Sequence, residues 1–443
     1  GAPLLIDGVR FTGANAVRPP REFWTLSFFS ESGDLVPYSA SNSSGALLAT
    51  HPDTTISRCI FELNHAGADA AVSAEPGVTI RDSHIRNNTS TAGLVTLNSI
   101  PDLIYGAPDS TPAPPITTVE NCTFAHNTAG DVYGFDFAAP ARVDDCTFTN
   151  NDVGPFGSVV TIDARLNDDG SATRSQIRRS RIAGNTARRL LAGRITTFPA
   201  PLYDGPALIS VQDTLLVGPA EHAAWFFTSA STPTLNSAGD PAPVLSLRNV
   251  TIAGADVGLE IGENSFNPTA AVENSIIDAA ADSFLNTTLG GPAAPFAFNI
   301  ATDLPDLTIG ANAADNTDAD PLLDPDYIPT LSSPAVDSAD NTRIPQSVTT
   351  DAAGATRFYN EPFVPDTGVA DARPPADRGA LERAQPCPGD LDRDGDTDVA
   401  DFFLFAASFG DTVPPGSAGD ADGDRNVTLD DFMLLANDFG CTP

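Results

Sequence analysis

Residues 390–401 read DLDRDGDTDVAD, which sets Asp390, Asp392, Asp394, Asp398 and Asp401 at positions one, three, five, nine and twelve of a twelve-residue loop, with Gly395 at position six. A hard cation takes about six to eight oxygens at roughly 2.4 Å, and alternate residues of a tight loop aim theirs at one centre. The spacing therefore predicts a calcium loop of EF-hand type. Asp390, Asp392 and Asp394 supply carboxylates, Asp396 its backbone carbonyl, Asp398 a direct or water-mediated contact, and Asp401 the closing carboxylate. Thirty residues on, DADGDRNVTLDD repeats the pattern over 420–431, with Asp420, Asp422, Asp424, Asn426, Thr428 and Asp431 as its ligand positions. The second loop is less regular. Arg425 holds position six, where the turn favours a left-handed glycine, and the nearby glycine is Gly423 at position four.

One short helix after each loop must position these groups. The two copies share its frame: Phe402 and Phe432, Leu404 and Leu434, Ala406 and Ala436, Phe409 and Phe439, Gly410 and Gly440. A duplicated calcium loop followed by a short helix resembles a type I dockerin. The resemblance implies a cohesin-like or cell-surface receptor as partner, chosen by positions ten and eleven of each loop. Here these are Val399 with Ala400 and Leu429 with Asp430 rather than small hydroxyl residues, so the usual cohesins should bind poorly. Cys387 and Cys441 bracket the module. A paired module brings its ends together, so a disulfide there would close a loop of 53 intervening residues and constrain the unfolded chain by about 3–5 kcal/mol. That pairing favours an oxidising, extracellular setting.

Upstream, the segments TTISRCIFELN, VTIRDSHIRNN, TTVENCTFAHN, ARVDDCTFTNN and SQIRRSRIAGN align on Cys59, Ser83, Cys122, Cys146 and Ser180, with weaker copies on Val9, Thr214, Val250 and Ser275. Three before each anchor lies Ile6, Ile56, Ile80, Val119, Val143, Ile177, Val211, Leu247 or Val272. Two after it lies Phe11, Phe61, Ile85, Phe124, Phe148, Ile182, Leu216, Ile252 or Ile277. Repeats of this kind stack. Short β segments that each bury a face on the rungs above and below predict a parallel β-helix, with insertions at its corners over 12–50, 92–116 and 220–243. Asn64, Asn88, Asn127, Asn151 and Asn185, five after their anchors, are expected at left-handed corners with their amides bonded to the next rung.

These rungs resemble right-handed parallel β-helix repeats of bacterial surface and secreted proteins. The stretch 318–382, with SSPAVD, DAAGATRFYN and ADRGALE, resembles the choice-of-anchor-type segment that closes such helices. Together with the dockerin-like tail the chain resembles exported β-helix proteins of planctomycete type. What that implies for function is broad, because such scaffolds host lyases, hydrolases and adhesins.

Composition bounds the rest. Fifty-eight acidic residues face 23 basic ones, all of them Arg, for a net charge of −35, a field that repels nucleic acid. The chain has no run of eighteen apolar residues, so no ordinary membrane-spanning helix is expected. Since the sequence starts at Gly1 rather than Met, a signal peptide is expected upstream. Cys59, Cys122 and Cys146 share the anchor column and read as small core hydrophobes, with a Cys122–Cys146 bond as the alternative.

For catalysis, the column two before the anchor is expected to face solvent, and it reads Ser57, Arg81, Glu120, Asp144, Arg178, Gln212, Arg248 and Glu273. If no rung intervenes, Glu120 and Asp144 stack about 5 Å apart beside Arg178. They could then serve a glycoside hydrolase as acid and nucleophile, or a polysaccharide lyase as calcium ligands beside a basic Arg. The alternative is a charge-compensated ladder. The dispersed histidines and the absence of GxSxG, P-loop and HExxH favour a non-catalytic role. The expected architecture is thus all-β, a right-handed parallel β-helix over 1–300, a closing segment over 301–384 and a small α-helical calcium-binding dockerin-like module over 387–443. The expected role is a secreted or cell-surface protein that presents a glycan or partner face and is attached through that module. The alternative is a polysaccharide lyase or glycoside hydrolase delivered to a complex.

Overall fold

The computed structural model describes residues 4–16, 25–29, 35–39, 46–49, 53–66, 71–74, 77–91, 93–97, 115–130, 133–137, 140–166, 171–197, 203–228, 243–261, 269–286, 296–302, 315–361, 364–383, 387, 389–392, 396–413, 419–422 and 425–441. These fall into two compact units, Gly1–Asp318 and Ala319–Pro443.

The first unit is a coil of parallel strands. The column three before the anchor stacks residue on residue: Ile6 on Ile56, Ile56 on Ile80, Ile80 on Val119, Val119 on Val143, Val143 on Ile177, Ile177 on Val211, Val211 on Leu247 and Leu247 on Val272. The column two after it does the same from Phe11 to Ile277. β-Branched and aromatic residues suit this arrangement because identical side chains meet on successive rungs. Phe11 stacks on Phe61 at 4.7 Å, and Phe124 on Phe148 at 4.5 Å. Two further sheets complete the turns. One has ten strands, nine of them parallel with Ala172–Thr173 joined antiparallel at the side, and lines the core with Val95, Phe135, Val160, Leu191, Ala224, Leu259 and Phe284 in register. The other is short, with Asn15–Ala16, His65–Ala66 and Thr89–Ser90 as its strands. Among the described residues of the insertion 12–50, Thr25–Phe29 and Leu35–Ser39 form an antiparallel pair.

The corners correct one expectation. The left-handed residues are Leu63, Asn87, His126, Asn150 and Gly184, four after the anchor rather than five. The asparagines one step later turn inward, each at most 1% exposed, and form a ladder. The Asn64 amide donates to Asn88 Oδ1 at 2.9 Å, Asn88 to Asn127 at 3.0 Å, Asn127 to Asn151 at 2.9 Å and Asn151 to Asn185 at 2.9 Å. Burial decides the difference: the buried position needs a side chain that satisfies backbone groups of the rungs on both sides, whereas the exposed one needs only to tolerate positive φ. A second left-handed set, Arg58, Asp82, Asn121, Asp145 and Arg179, precedes the anchors. The anchor cysteines Cys59, Cys122 and Cys146 are free and buried, and burial pushes the Cys146 thiol well up.

A tenth rung follows Ser275, where Phe296 stacks on Val272 and Ala301 on Ile277. Small Ala301 hid it in the sequence. Its last bridge, Ile300 to Thr317, carries the coil unit past residue 300.

The second unit has little regular structure before residue 396; among its described residues there, one 3₁₀ turn spans Asn341–Arg343. Carboxylates do the work that strands do in the coil. Asp377 accepts from the Asp337 amide at 2.8 Å and the Arg383 amide at 2.7 Å, Asp351 from the Glu382 amide at 2.9 Å, and Asp337 from the Glu361 amide at 3.1 Å. Fully buried Arg357 donates to the Asp377 and Gly379 carbonyls at 2.9 and 2.8 Å. The polar residues of SSPAVD, DAAGATRFYN and ADRGALE are therefore this network. Burial and the neighbouring Asp377 carboxylate push Asp337 up to about 8, and burial pushes Asp377 up to about 7.

Candidate functional site

Two helices close the chain, α1 over Val399–Ser408 and α2 over Leu429–Asp438. Asp398 and Thr428 cap them, each accepting from the amide two residues on, while Asp401 and Asp431 at the third helical position reach back to the cap amide. These reciprocal boxes satisfy first-turn donors that would otherwise stay open. They also hold Asp401 and Asp431 in the loops ahead. Asp401 Oδ1 accepts from the Leu391 and Asp392 amides at 2.6 and 3.0 Å, and Asp431 Oδ1 accepts from the Ala421 and Asp422 amides at 2.7 and 3.1 Å.

The halves are joined reciprocally. The Thr397 amide donates to the Cys441 carbonyl at 3.0 Å and its carbonyl accepts from the Gly440 amide at 2.8 Å. Thirty residues on, the Val427 amide donates to the Asp411 carbonyl at 3.0 Å and its carbonyl accepts from the Gly410 amide at 2.9 Å. Each loop is thus stitched to the end of the other copy's helix. Phe405, Val427 and Leu435 form the core between them, with Leu391, Val413 and Phe432 packed against it.

In loop one Asp390, Asp392 and Asp401 each bring a carboxylate oxygen within 4.8 Å of the others, and in loop two Asp420, Asp422 and Asp431 do the same. Two oxygens that bind one calcium at about 2.4 Å lie no more than about 4.8 Å apart, so these hard donors fit that ion. Positions one, three and twelve of both loops are brought together. Asp394 and Asp424 at position five, and Gly395, lie outside the described residues. Asp396 is half-buried, Asp398 and Thr428 act as helix caps, and Asn426 is exposed. Arg425 adopts φ +78°, so position six of loop two carries the left-handed strain expected of a non-glycine residue there. Its amide donates to Asp420 Oδ2 at 3.0 Å. The Cys387 and Cys441 sulfurs lie 2.10 Å apart, at disulfide distance.

In the coil, Arg81, Glu120, Asp144 and Arg178 stand in register on successive rungs, with Glu120 directly paired to Asp144. The column does not uniformly face solvent. Glu120 is exposed, but Asp144 is 1% exposed because two arginines close over it. Arg178 holds both its oxygens at 2.8 and 2.7 Å, and Arg142 pairs with it as well. Burial raises the Asp144 carboxyl, yet the bonds from Arg178 and Arg142 outweigh it and keep the group below its ordinary range. A carboxylate bound this way is neutralised. Glu273 repeats the pattern under Arg248 at 2.7 Å, and Glu62 lies between Arg10 and Arg86.

Sequence spacing missed the outward face of the ten-stranded sheet, where Trp225 and Phe227 lie among charged side chains. Its strands follow insertions of variable length, so no fixed offset from an anchor exposes them.

A family model described as a right handed beta helix region matches residues 38–167, the stretch that holds anchors Cys59, Ser83, Cys122 and Cys146. With the in-register parallel stacking, this makes the coil a right-handed β-helix repeat. Comparison with curated proteins returned no match, and comparison with solved structures returned none. Among the described residues no helix is long and apolar enough to cross a membrane.

Proposed function

We propose that this is a secreted or cell-surface β-helix protein whose coil presents a face to glycans or a partner and whose C-terminal dockerin-like module attaches it in a calcium-dependent way. The observation that carries the reading is the duplicated carboxylate triad, Asp390–Asp392–Asp401 and Asp420–Asp422–Asp431, in two reciprocally joined halves. Calcium replaces the repulsion within each triad by attraction and orders the loop around it. The helix faces support attachment. Phe403, Phe409, Leu429, Met433 and Phe439 are all more than 50% exposed, an apolar surface beyond what an isolated soluble module needs. At the partner-selecting positions Val399 and Leu429 are 52% and 66% exposed. The Cys387–Cys441 approach suits an oxidising extracellular location.

The neutralised state of Asp144 favours the charge-compensated ladder over acid–base chemistry at Glu120, Asp144 and Arg178. Titration calorimetry with calcium tests the reading. Heat of binding is expected, with loop one tighter than loop two because Arg425 strains the second turn, and Asp390→Ala should abolish the tighter site. Absence of heat with the wild type would overturn calcium-dependent attachment.

A further inference from the structure

We propose that Asp438 and the Cys387–Cys441 pair, which lie outside both twelve-residue loops, form a clasp that positions loop one for its cation, so that the calcium affinity of loop one alone depends on a carboxylate of α2 and on the redox state of the pair. The inference rests on the reading of the two loops as calcium sites and names the residues that make them unequal.

The clasp ties both ends of loop one to the end of the chain. Just ahead of the loop the Gly389 amide donates to Asp438 Oδ2 at 2.7 Å. At position eight, fully buried Thr397 donates its hydroxyl to the same oxygen at 2.8 Å. One carboxylate oxygen therefore spans the stretch that holds the ligands Asp390 and Asp392. The cysteines make the same connection covalently. The Asp390 amide donates to the Cys387 carbonyl and the Thr397 amide to the Cys441 carbonyl, both at 3.0 Å, and the two sulfurs lie at disulfide distance. A carboxylate oxygen of Asp438 lies within 4.8 Å of both sulfurs, so the two ties are one structure. Gly389 sits so close to α2 that a Cβ there would come within 2.7 Å of Thr397 Cγ2 and 3.0 Å of Leu435 Cα.

Helix physics does not account for Asp438. It is the last residue of α2, and no basic residue shares its last turn. A carboxylate there meets the negative end of the helix dipole. Its bonds to loop one offset that cost.

Loop two keeps the backbone frame and lacks the clasp. The Cys441 amide donates to the Asp438 carbonyl at 2.8 Å, and thirty residues earlier the Asp411 amide donates to the Ser408 carbonyl at 2.9 Å. The side chains differ at all four positions: Ser417 replaces Cys387, Val427 replaces Thr397, Ser408 replaces Asp438 and Asp411 replaces Cys441. Val427 has no hydroxyl to donate, and Ser417 with Asp411 can form no covalent link. A loop already held in shape loses less freedom when the ion orders it, and so binds more tightly. The coupling is reciprocal, so calcium must in turn favour the closed pair.

Calorimetry with calcium chloride on the full chain tests this in two backgrounds. Asp422→Ala removes a position-three ligand of loop two and leaves loop one to be read, and Asp392→Ala does the converse; both residues are exposed and neither caps a helix. In the Asp422→Ala chain, Asp438→Ala, or Cys387→Ser together with Cys441→Ser, should weaken binding about tenfold. Asp438→Asn, which keeps an acceptor oxygen in place, should recover most of the loss. In the Asp392→Ala chain the same changes should leave the affinity of loop two unchanged, whereas a module weakened as a whole would lose both. The reciprocal arm uses a buffer of reduced and oxidised dithiothreitol, in which the protein disulfide takes two electrons and two protons from the dithiol and leaves its cyclic disulfide. Calcium should shift that equilibrium toward the protein disulfide. A loop-one affinity unmoved by either change, an equal loss from both loops, or a redox equilibrium indifferent to calcium overturns the clasp while the calcium reading stands. No heat in either background overturns both.

Discussion

The two units reach order by opposite means. In the coil, backbone groups pair with identical groups one rung away, and side chains only have to stack, as Phe124 does on Phe148 and Asn127 on Asn151. In the C-terminal unit few backbone groups meet each other in ladders, and carboxylates take their place: Asp337, Asp351, Asp377, Asp401 and Asp431 accept from amides far along the chain. The lesson is that the coil distributes its stability over many equivalent contacts, whereas the second unit concentrates it in a few carboxyl groups. The coil should therefore be indifferent to calcium and, apart from Asp163, which burial raises to about 6, respond less to pH, whereas the second unit should respond to both.

The largest effect is expected at Asp401. Asp401→Ala leaves the Leu391, Asp392 and Asp398 amides without their acceptor, at about 1–3 kcal/mol for each that stays buried. Thermal melting should show the module unfolding well below the coil, and an unchanged module transition would erase the contrast between the units. Asn127→Ala is the matching change in the coil. It removes the acceptor for the Asn88 backbone and side-chain amides, a loss of about 2–3 kcal/mol. Flanking rungs should confine the loss, so hydrogen exchange should rise near Asn88 and Asn127 while the coil transition stays cooperative.

A smaller effect concerns pH. Asp337 and Asp377 hold folded-state pKa values raised to about 8 and 7, so the folded unit binds protons that the unfolded chain releases near pH 4. Their stabilising contribution is complete below about pH 4 and is lost as pH rises through 7 to 8. The second unit's melting temperature should fall over that window, and Asp337→Asn should flatten the fall. A melting temperature that climbs from pH 5 to 8 would contradict the assignment.

Much of the coil was legible because a hydrophobic column repeated on every rung writes itself into the sequence. Both apolar columns and the pairing of Glu120 with Asp144 could be read from spacing alone. The left-handed residue before each anchor was legible but easily passed over: Gly8, Asp82, Asn121, Asp145, Asp213, Asn249 and Asn274 are the types that tolerate positive φ, and Arg58 and Arg179 interrupt the column. The burial of Asp144 was hidden, because Arg142 reaches it from two residues away on its own strand, which a column-by-column reading does not examine. The carboxylate triads were legible in spacing, but the stitching across copies through Thr397 and Val427 is a backbone property with no residue signature.

Hydrogen exchange on the full chain with calcium and with chelator tests the contrast most directly. Calcium should slow exchange at the loop amides of Leu391, Asp392, Asp398, Ala421, Asp422 and Thr428 by at least tenfold and leave the Asn88, Asn127 and Asn151 amides of the coil unchanged. Equal protection of both loops in chelator and in calcium, or a calcium effect spread evenly through the coil, would contradict the account.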